Sequence, residues 1–314
     1  MSDVPAEPAT RAPRWPPLGY DDWAATKATL HRYAQVVGKI RMALMPFHNH
    51  WWHLTLFVSS RGLTTGPMPT DDGRSVEVHL DLLNHETVVL DSAGGTERFG
   101  LRERPACADF YAQLFAALGG IGVEVAINPE PFDLDGPALS VDRTHDAYDA
   151  EAVTRYWTVL LETSQVMEVF AGRFNAKQAP IHMFWHSFDL ALARFSGRSA
   201  PRPPGTDPIT AEAYSHEVIA FGFWPGDDTV RYPACYSYTA PAPDGLTDRP
   251  LEPAGATWLV DQGSAHLSYE EVRTSTDPSA TLLAFLESAY QAGATTAGWD
   301  TAALRTRVGG SDRP

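Results

Sequence analysis

Six histidines crowd three short stretches of this sequence: His48, His50 and His53 beside Trp51 and Trp52, His182 and His186 around Trp185, and His216 next to Glu217. Imidazole titrates near neutral pH and ligates divalent metals, so these groups suit acid–base catalysis or metal binding. In the acid–base reading His53 or His216 moves the proton, and Glu217 or Asp189 orients it. Lys39 or Arg194 would contact an anionic group, and Trp52, Trp185 and Trp224 would wall the pocket. In the metal reading the ligands come from His50, His53, His182 and His186, and the ion is a divalent one, zinc or ferrous iron.

Spacing restrains the second idea. Read as one strand, the run 181–195 sets His182 and His186 ~13 Å apart at ~3.3 Å per residue. A metal–nitrogen bond is only ~2 Å, so any shared ion needs donors from different strands. On that alternation Trp185, Ser187, Asp189 and Ala191 share one face, and His186, Phe188 and Leu190 the other. Asp189 then needs a cation such as Arg194, Arg198 or Lys39 to be buried at all. Ser187 is no nucleophile beside His186, since strand neighbours face opposite ways and no Gly-x-Ser-x-Gly elbow is present. Nor does any glycine-rich dinucleotide or phosphate-loop motif occur.

The elements that would hold these residues can be read from periodicity. Apolar residues at helical spacing predict a helix ending near Leu44, stopped by Pro46 and capped by Asp21 or Asp22. Alternation predicts a strand over 48–59, then strands at 76–82 and 87–90 joined through Asn84-His85. A helix over 109–118 ends at Gly119-Gly120, and a short strand at 123–127 follows. Later come a helix over 150–170, strands at 181–195, 216–224, 234–238 and 257–267, and a helix over 280–290 begun by Asp277-Pro278.

Residues 129–146 are rich in Pro, Asp and Gly without periodicity, which predicts a linker. The order on either side is alike, and words recur: Trp52-His53 with Trp185-His186, Arg32-Tyr33 with Arg155-Tyr156, Glu77-Val78 with Glu217-Val218. The expected fold is therefore α+β: two tandem helix–antiparallel strands–helix repeats related by pseudo-two-fold symmetry in one compact unit. Its parts are a disordered 1–14, a first repeat over 15–128, the linker, a second repeat over 147–300 and a tail over 301–314. A ligand site would fall at the seam between the halves.

Composition narrows the partner. A formal charge of −15 with scattered acids disfavours nucleic acid and anionic membrane surfaces, leaving a small molecule or a protein partner, with a small molecule the expected ligand. No apolar run suits a membrane span or a signal peptide, so a cytoplasmic protein is expected. Cys107 and Cys235 are too few for a disulfide framework or a zinc–cysteine cluster and read as buried apolar residues.

Particular phrases carry a resemblance: Trp15-Pro-Pro-Leu18, Val37-Gly-Lys-Ile-Arg41, Asn49-His-Trp-Trp-His53, Ser187-Phe-Asp-Leu190, Arg194-Phe-Ser-Gly-Arg198, Tyr214-Ser-His-Glu-Val218 and Gly222-Phe-Trp-Pro-Gly226. With them the chain resembles the DUF5996 family of uncharacterised bacterial proteins from Trp15 to Trp299. The resemblance implies no activity. In the pattern of that family Gly often stands where this chain has His186, so the resemblance implies no shared role for that imidazole. Three functions stay open: a small-molecule binder with optional His–carboxylate catalysis, a metal-dependent enzyme, and a non-catalytic scaffold.

Overall fold

The computed structural model describes residues 13–202 and 204–306. The expectations for 1–12 and 307–314 lie outside the described residues. Helix α1 (Ala24–Leu44) comes first, and its apolar face with Leu30, Tyr33, Val37 and Ile40 is sealed in the core. Its N-cap is Trp23 rather than Asp21 or Asp22. Those acids lie in the preceding 3-10 turn, where Asp21 accepts from Arg231 instead.

The first sheet is antiparallel: β1 (Phe57–Ser59), β2 (Gly62–Thr64), β3 (Met68–Pro69), β4 (Ser75–Asp81), β5 (Glu86–Asp91) and β6 (Thr96–Gly100). Its order is β1-β2-β4-β5-β6, with β3 paired to β4. Val76, Val78 and Leu80 alternate inward from β4, as a half-buried strand requires. Helix α2 (Cys107–Gly120) closes this half. Residues 123–127 form no strand, contrary to the sequence reading.

Helix α3 (Ala150–Ala171) opens the second half, capped by the Asp149 carboxylate on the Glu151 and Ala152 N–H groups. The second sheet holds β7 (His182–Phe184), β8 (Asp189–Ser199), β9 (His216–Trp224), β10 (Ala234–Ala240), β11 (Thr257–Leu259) and β12 (Ser264–Ser268). It is ordered β11-β12-β10-β9-β8-β7. Helices α4 (Pro208–Ala213), α5 (Tyr269–Thr274) and α6 (Pro278–Thr296) complete the chain.

Three further predicted strands are corrected. Residues 48–54 do not alternate: Asn49–Leu54 is a kinked 3-10 helix whose His50 and Trp51 hold left-handed φ of 55° and 62°. Residues 181–195 are a hairpin, turned at 185–188 with Phe188 at φ 62°. The supports of that turn are remote, since the His31 imidazole lies 2.9 Å from the Trp185 carbonyl. The 257–267 run is broken at Val260–Gln262, where left-handed Gly263 redirects the chain.

The echoed words land in different places. Trp52-His53 precedes the first strand of its sheet, whereas Trp185-His186 follows the first strand of the other. The halves nevertheless share one core and touch strand to strand, with Leu56 and Met183 exchanging N–H···O bonds of 2.9 and 2.7 Å. Gly38 allows the closest approach: a β-carbon there would overlap the Trp185 indole, so only glycine lets α1 rest on the hairpin. Helix α6 packs the same way, as a β-carbon at Gly293 would meet Thr239 and Ile219.

Candidate functional site

Parity along β8, β9 and β10 divides the second sheet into two unlike faces. Leu192, Arg194, Ile219, Phe221, Phe223 and Cys235 turn toward α3 and α6 and are buried. Phe170 of α3 meets Phe221 edge-on at 4.9 Å, which fixes that face as the helix side. The opposite face carries small residues at its centre, Ala191, Ala193, Ala220 and Gly222, with half-buried His216, Tyr236, Tyr238 and His266 around them. The Tyr236 ring lies over Gly222, where a side chain would collide with it, and runs near-parallel to Tyr238 at 6.2 Å.

Onto one end of this open face the first half delivers its 3-10 helix. The His50 N–H donates to Glu212 at 3.1 Å, its Nδ1 is 3.1 Å from the Ala213 carbonyl, and the Trp51 indole donates to the Ile209 carbonyl. A carbonyl only accepts, so Nδ1 carries the proton and Nε2 keeps a lone pair. That lone pair faces the Lys177 ammonium at 2.6 Å. Lys177 sits in a segment running beside β8, held by Phe195 N–H to its carbonyl at 3.0 Å. Its ammonium lies 4.8 Å from the Phe195 ring centre and 5.7 Å from that of Trp52. The His216 ring is 5.8 Å from that of His50, and the Ser215 hydroxyl lies 3.1 Å from His216 Nδ1. Burial lowers the proton affinity of both Lys177 and His50 below their ordinary values, with Glu212 opposing it at each.

At the other end of β8 lies a second polar group. The Asp189 carboxylate accepts short hydrogen bonds from the Ser187 and Tyr236 hydroxyls. From Asp189 to Phe195 the strand spans about 20 Å at ~3.3 Å per residue, so the two groups are separate. The Tyr214–Tyr238 hydroxyl contact of 3.1 Å lies on the surface between them.

Of the residues singled out from sequence, the structure joins His50, Trp52 and His216, and it adds Lys177. The others go elsewhere. His53 accepts from the His48 N–H at 3.3 Å. Glu217 does not orient His216; its neighbour position puts it on the helix side, where it binds Ser196 and Arg198. Glu217 also lines a cavity of about 260 Å³ with Trp299 and Thr239, apart from the imidazoles. Asp189 has hydroxyl partners and no cation within salt-bridge reach among the described residues.

The expected anion contacts are also placed otherwise. Arg194 is sealed on the helix side, its guanidinium 3.4 Å from the Phe170 ring centre and 4.5 Å from that of Tyr290. Lys39 is buried 5.4 Å from the ring of Trp185, itself packed in the core. Trp224 stays half-buried at the far end of β9. His182 is sealed, and burial with the Arg41 charge pushes its imidazole down to about 3. His186 rests against Phe132, Phe184 and Trp185. Among the described residues no three His, Cys, Asp or Glu side chains converge as metal ligands would.

Lys177 escaped the sequence reading because it sits in a polar loop. One signal was available: the chain has three lysines, Lys27, Lys39 and Lys177, against 21 arginines. None of the three is exposed.

Fold and contacts together define a mixed α/β protein with two antiparallel sheets and a polar cluster where the halves meet on the second. Residues 15–306 match the model of a family of unknown function, DUF5996, and the chain belongs to that family. No curated protein and no solved structure matches it. No helix among the described residues is long and apolar enough to cross a membrane.

Proposed function

We propose that this protein binds a small organic molecule on the open face of its second sheet, where the 3-10 helix of the first half and α4 meet β8 and β9. The observation that carries the reading is the contact row His216–His50–Lys177, flanked by Trp52 and Phe195. Such a row combines proton donors, a lone-pair acceptor and aromatic walls, with Lys177, Trp52 and His216 half-buried and His50 and Phe195 buried behind them. The acid–base chemistry of this reading is imidazole with amine, in place of imidazole with carboxylate. The tyrosine pair offers a flat apolar surface for the remainder of the ligand.

The same proposal includes a duplicated origin, supported by a helix, an antiparallel sheet and a closing helix in each half. It also includes cytoplasmic residence, supported by two free buried thiols that burial pushes up to about 12. The test is native mass spectrometry of untagged protein from its own host. A retained small molecule that disappears in Trp52→Ala and Lys177→Met is the expected result. Stoichiometric retention unaffected by either substitution would move the site elsewhere.

A further inference from the structure

We propose that Lys177 is an amine nucleophile that condenses with the carbonyl carbon of an aldehyde or ketone, with His50 carrying the protons. The proposal rests on the binding reading above and names its substrate class.

Composition, solvent access and the orientation of His50 point the same way. Lysine is scarce here, three residues against 21 arginines. Arginine cannot give up its proton in a protein, whereas lysine can when it is desolvated. Lys27 and Lys39 are sealed at 9% and 4% exposure; Lys177 alone of the three keeps substantial solvent access. The imidazole that Lys177 meets is also pinned: the Ala213 carbonyl fixes the His50 proton on Nδ1, so the Nε2 lone pair points at Nζ across 2.6 Å. The rings of Trp52 and Phe195 complete the surroundings, and the Glu212 carboxylate, which accepts from the His50 N–H, acts on the ammonium through its charge and only partly offsets burial. Burial favours the neutral amine, which is the nucleophilic form.

The chemistry balances without a further reagent. The ammonium gives one proton to His50 Nε2, and the amine lone pair attacks the carbonyl carbon. A C–N bond forms as the C=O π pair moves to oxygen. The imidazolium protonates that oxygen, giving a carbinolamine with nitrogen still cationic. His50 then passes a nitrogen proton to the hydroxyl, the C–O bond breaks, water leaves, and the nitrogen lone pair closes the C=N bond. Ammonium and carbonyl become iminium and water, with imidazole regenerated.

The test uses the full chain with benzaldehyde and, separately, acetone, trapped with cyanoborohydride and located by peptide mass spectrometry. Only three lysines and the N-terminal amine compete, so assignment is clean. A reduced adduct at Lys177, forming at least about tenfold faster than at the N-terminal amine, supports the proposal. His50→Asn should slow it by about 10²-fold, and asparagine tolerates the left-handed backbone at that position. Lys177→Arg should abolish it. Labelling at the rate of the N-terminal amine, or a rate unchanged in folded His50→Asn, overturns the proposal. If wild type forms no adduct yet Lys177→Arg still retains the host's small molecule, the imine falls and the binding reading stands. A fast adduct at Lys177 with no retained molecule in any variant supports the imine and sinks the binding site.

Discussion

Lys177 and Arg194 are two cations that meet the same strand, and their fates differ because of one residue of parity. Arg194 lies on the helix side of β8, bridged across to Gln178, and is 1% exposed. Three aromatic rings lie within 5.0 Å of its guanidinium, and one nitrogen donates to the Phe170 carbonyl. Lys177, next to Gln178, turns to the open side and meets an imidazole lone pair instead. The first cation is enclosed by groups that cannot accept its proton, and the second faces one that can. A charged residue in an apolar strand is therefore not evidence of chemistry until its side of the sheet is known.

Arg194 gives the largest effect by which this contrast can be broken. Arg194→Ala removes a large sealed side chain from between packed rings, and about 3–5 kcal/mol should be lost from the urea-unfolding free energy. Arg194→Met keeps most of the volume and discards the charge, so its loss should stay below about 1.5 kcal/mol. If Met proves as damaging as Ala, the charge itself, rather than the packing of its stem, is the structural contribution.

Buried imidazoles extend the contrast to pH. His31, stacked on Phe188, and His182 are both pushed down to about 3, first by burial and then by the nearby charges of Lys27 and Arg41 respectively. Between pH 6.5 and about 3 the unfolded chain binds their protons and the folded chain does not. Stability from this source is complete above pH 6.5 and falls as pH drops, by about 1.4 kcal/mol per pH unit for each imidazole. At pH 5 that is about 2 kcal/mol each. Urea midpoints measured at pH 7 and 5 should separate, and His31→Gln should reduce the separation. An identical pH slope in that variant would show that His31 titrates freely.

Lys177→Met should change unfolding free energy by less than about 1 kcal/mol, since a half-buried ammonium in partial contact with solvent contributes little to stability. Its effect should appear in ligand retention instead. A loss comparable to that of Arg194→Ala would make both cations structural and erase the distinction.

What the sequence disclosed follows the range of the forces involved. Helices α1, α3 and α6 were legible because their apolar spacing is local, and for α6 so is the cap, Asp277 binding the Ala280 N–H just ahead; the cap expected for α1 was not found. The hairpin at 185–188 was not. Its apolar flanks read as continuous strand, while the groups fixing the turn, His31 and Tyr236, arrive from other elements. The 3-10 helix at Asn49–Leu54 was hidden for the same reason, since Glu212 and Ala213 hold it from 162 and 163 residues away. The predicted imidazole cluster came together only in part: all three of His50, His53 and His182 are buried, but left-handed His50 meets Lys177 and His216 whereas His53 accepts from the His48 N–H and His182 is sealed in the core. Parity along β9 could have separated His216 from Glu217 in advance, because neighbours on a strand face opposite sides.

That separation supplies the smallest prediction. Glu217 and Arg198 are paired at 2.7 Å, with the arginine half exposed and its remaining donors on the Ala297 and Gly298 carbonyls at the end of α6. The pair thus ties the last turn of α6 to β8 and β9 through one carboxylate oxygen. Solvent reaches it, so Glu217→Gln should lower the unfolding free energy by no more than about 1 kcal/mol. Because Arg198, Ser196 and the α6 carbonyls lie on the helix side, the change should leave ligand retention and amine labelling at Lys177 untouched. Adduct yield measured beside thermal stability decides it: a stable Glu217→Gln protein that no longer labels at Lys177 would mean that the two faces of the sheet communicate, and that parity alone does not separate structure from chemistry here.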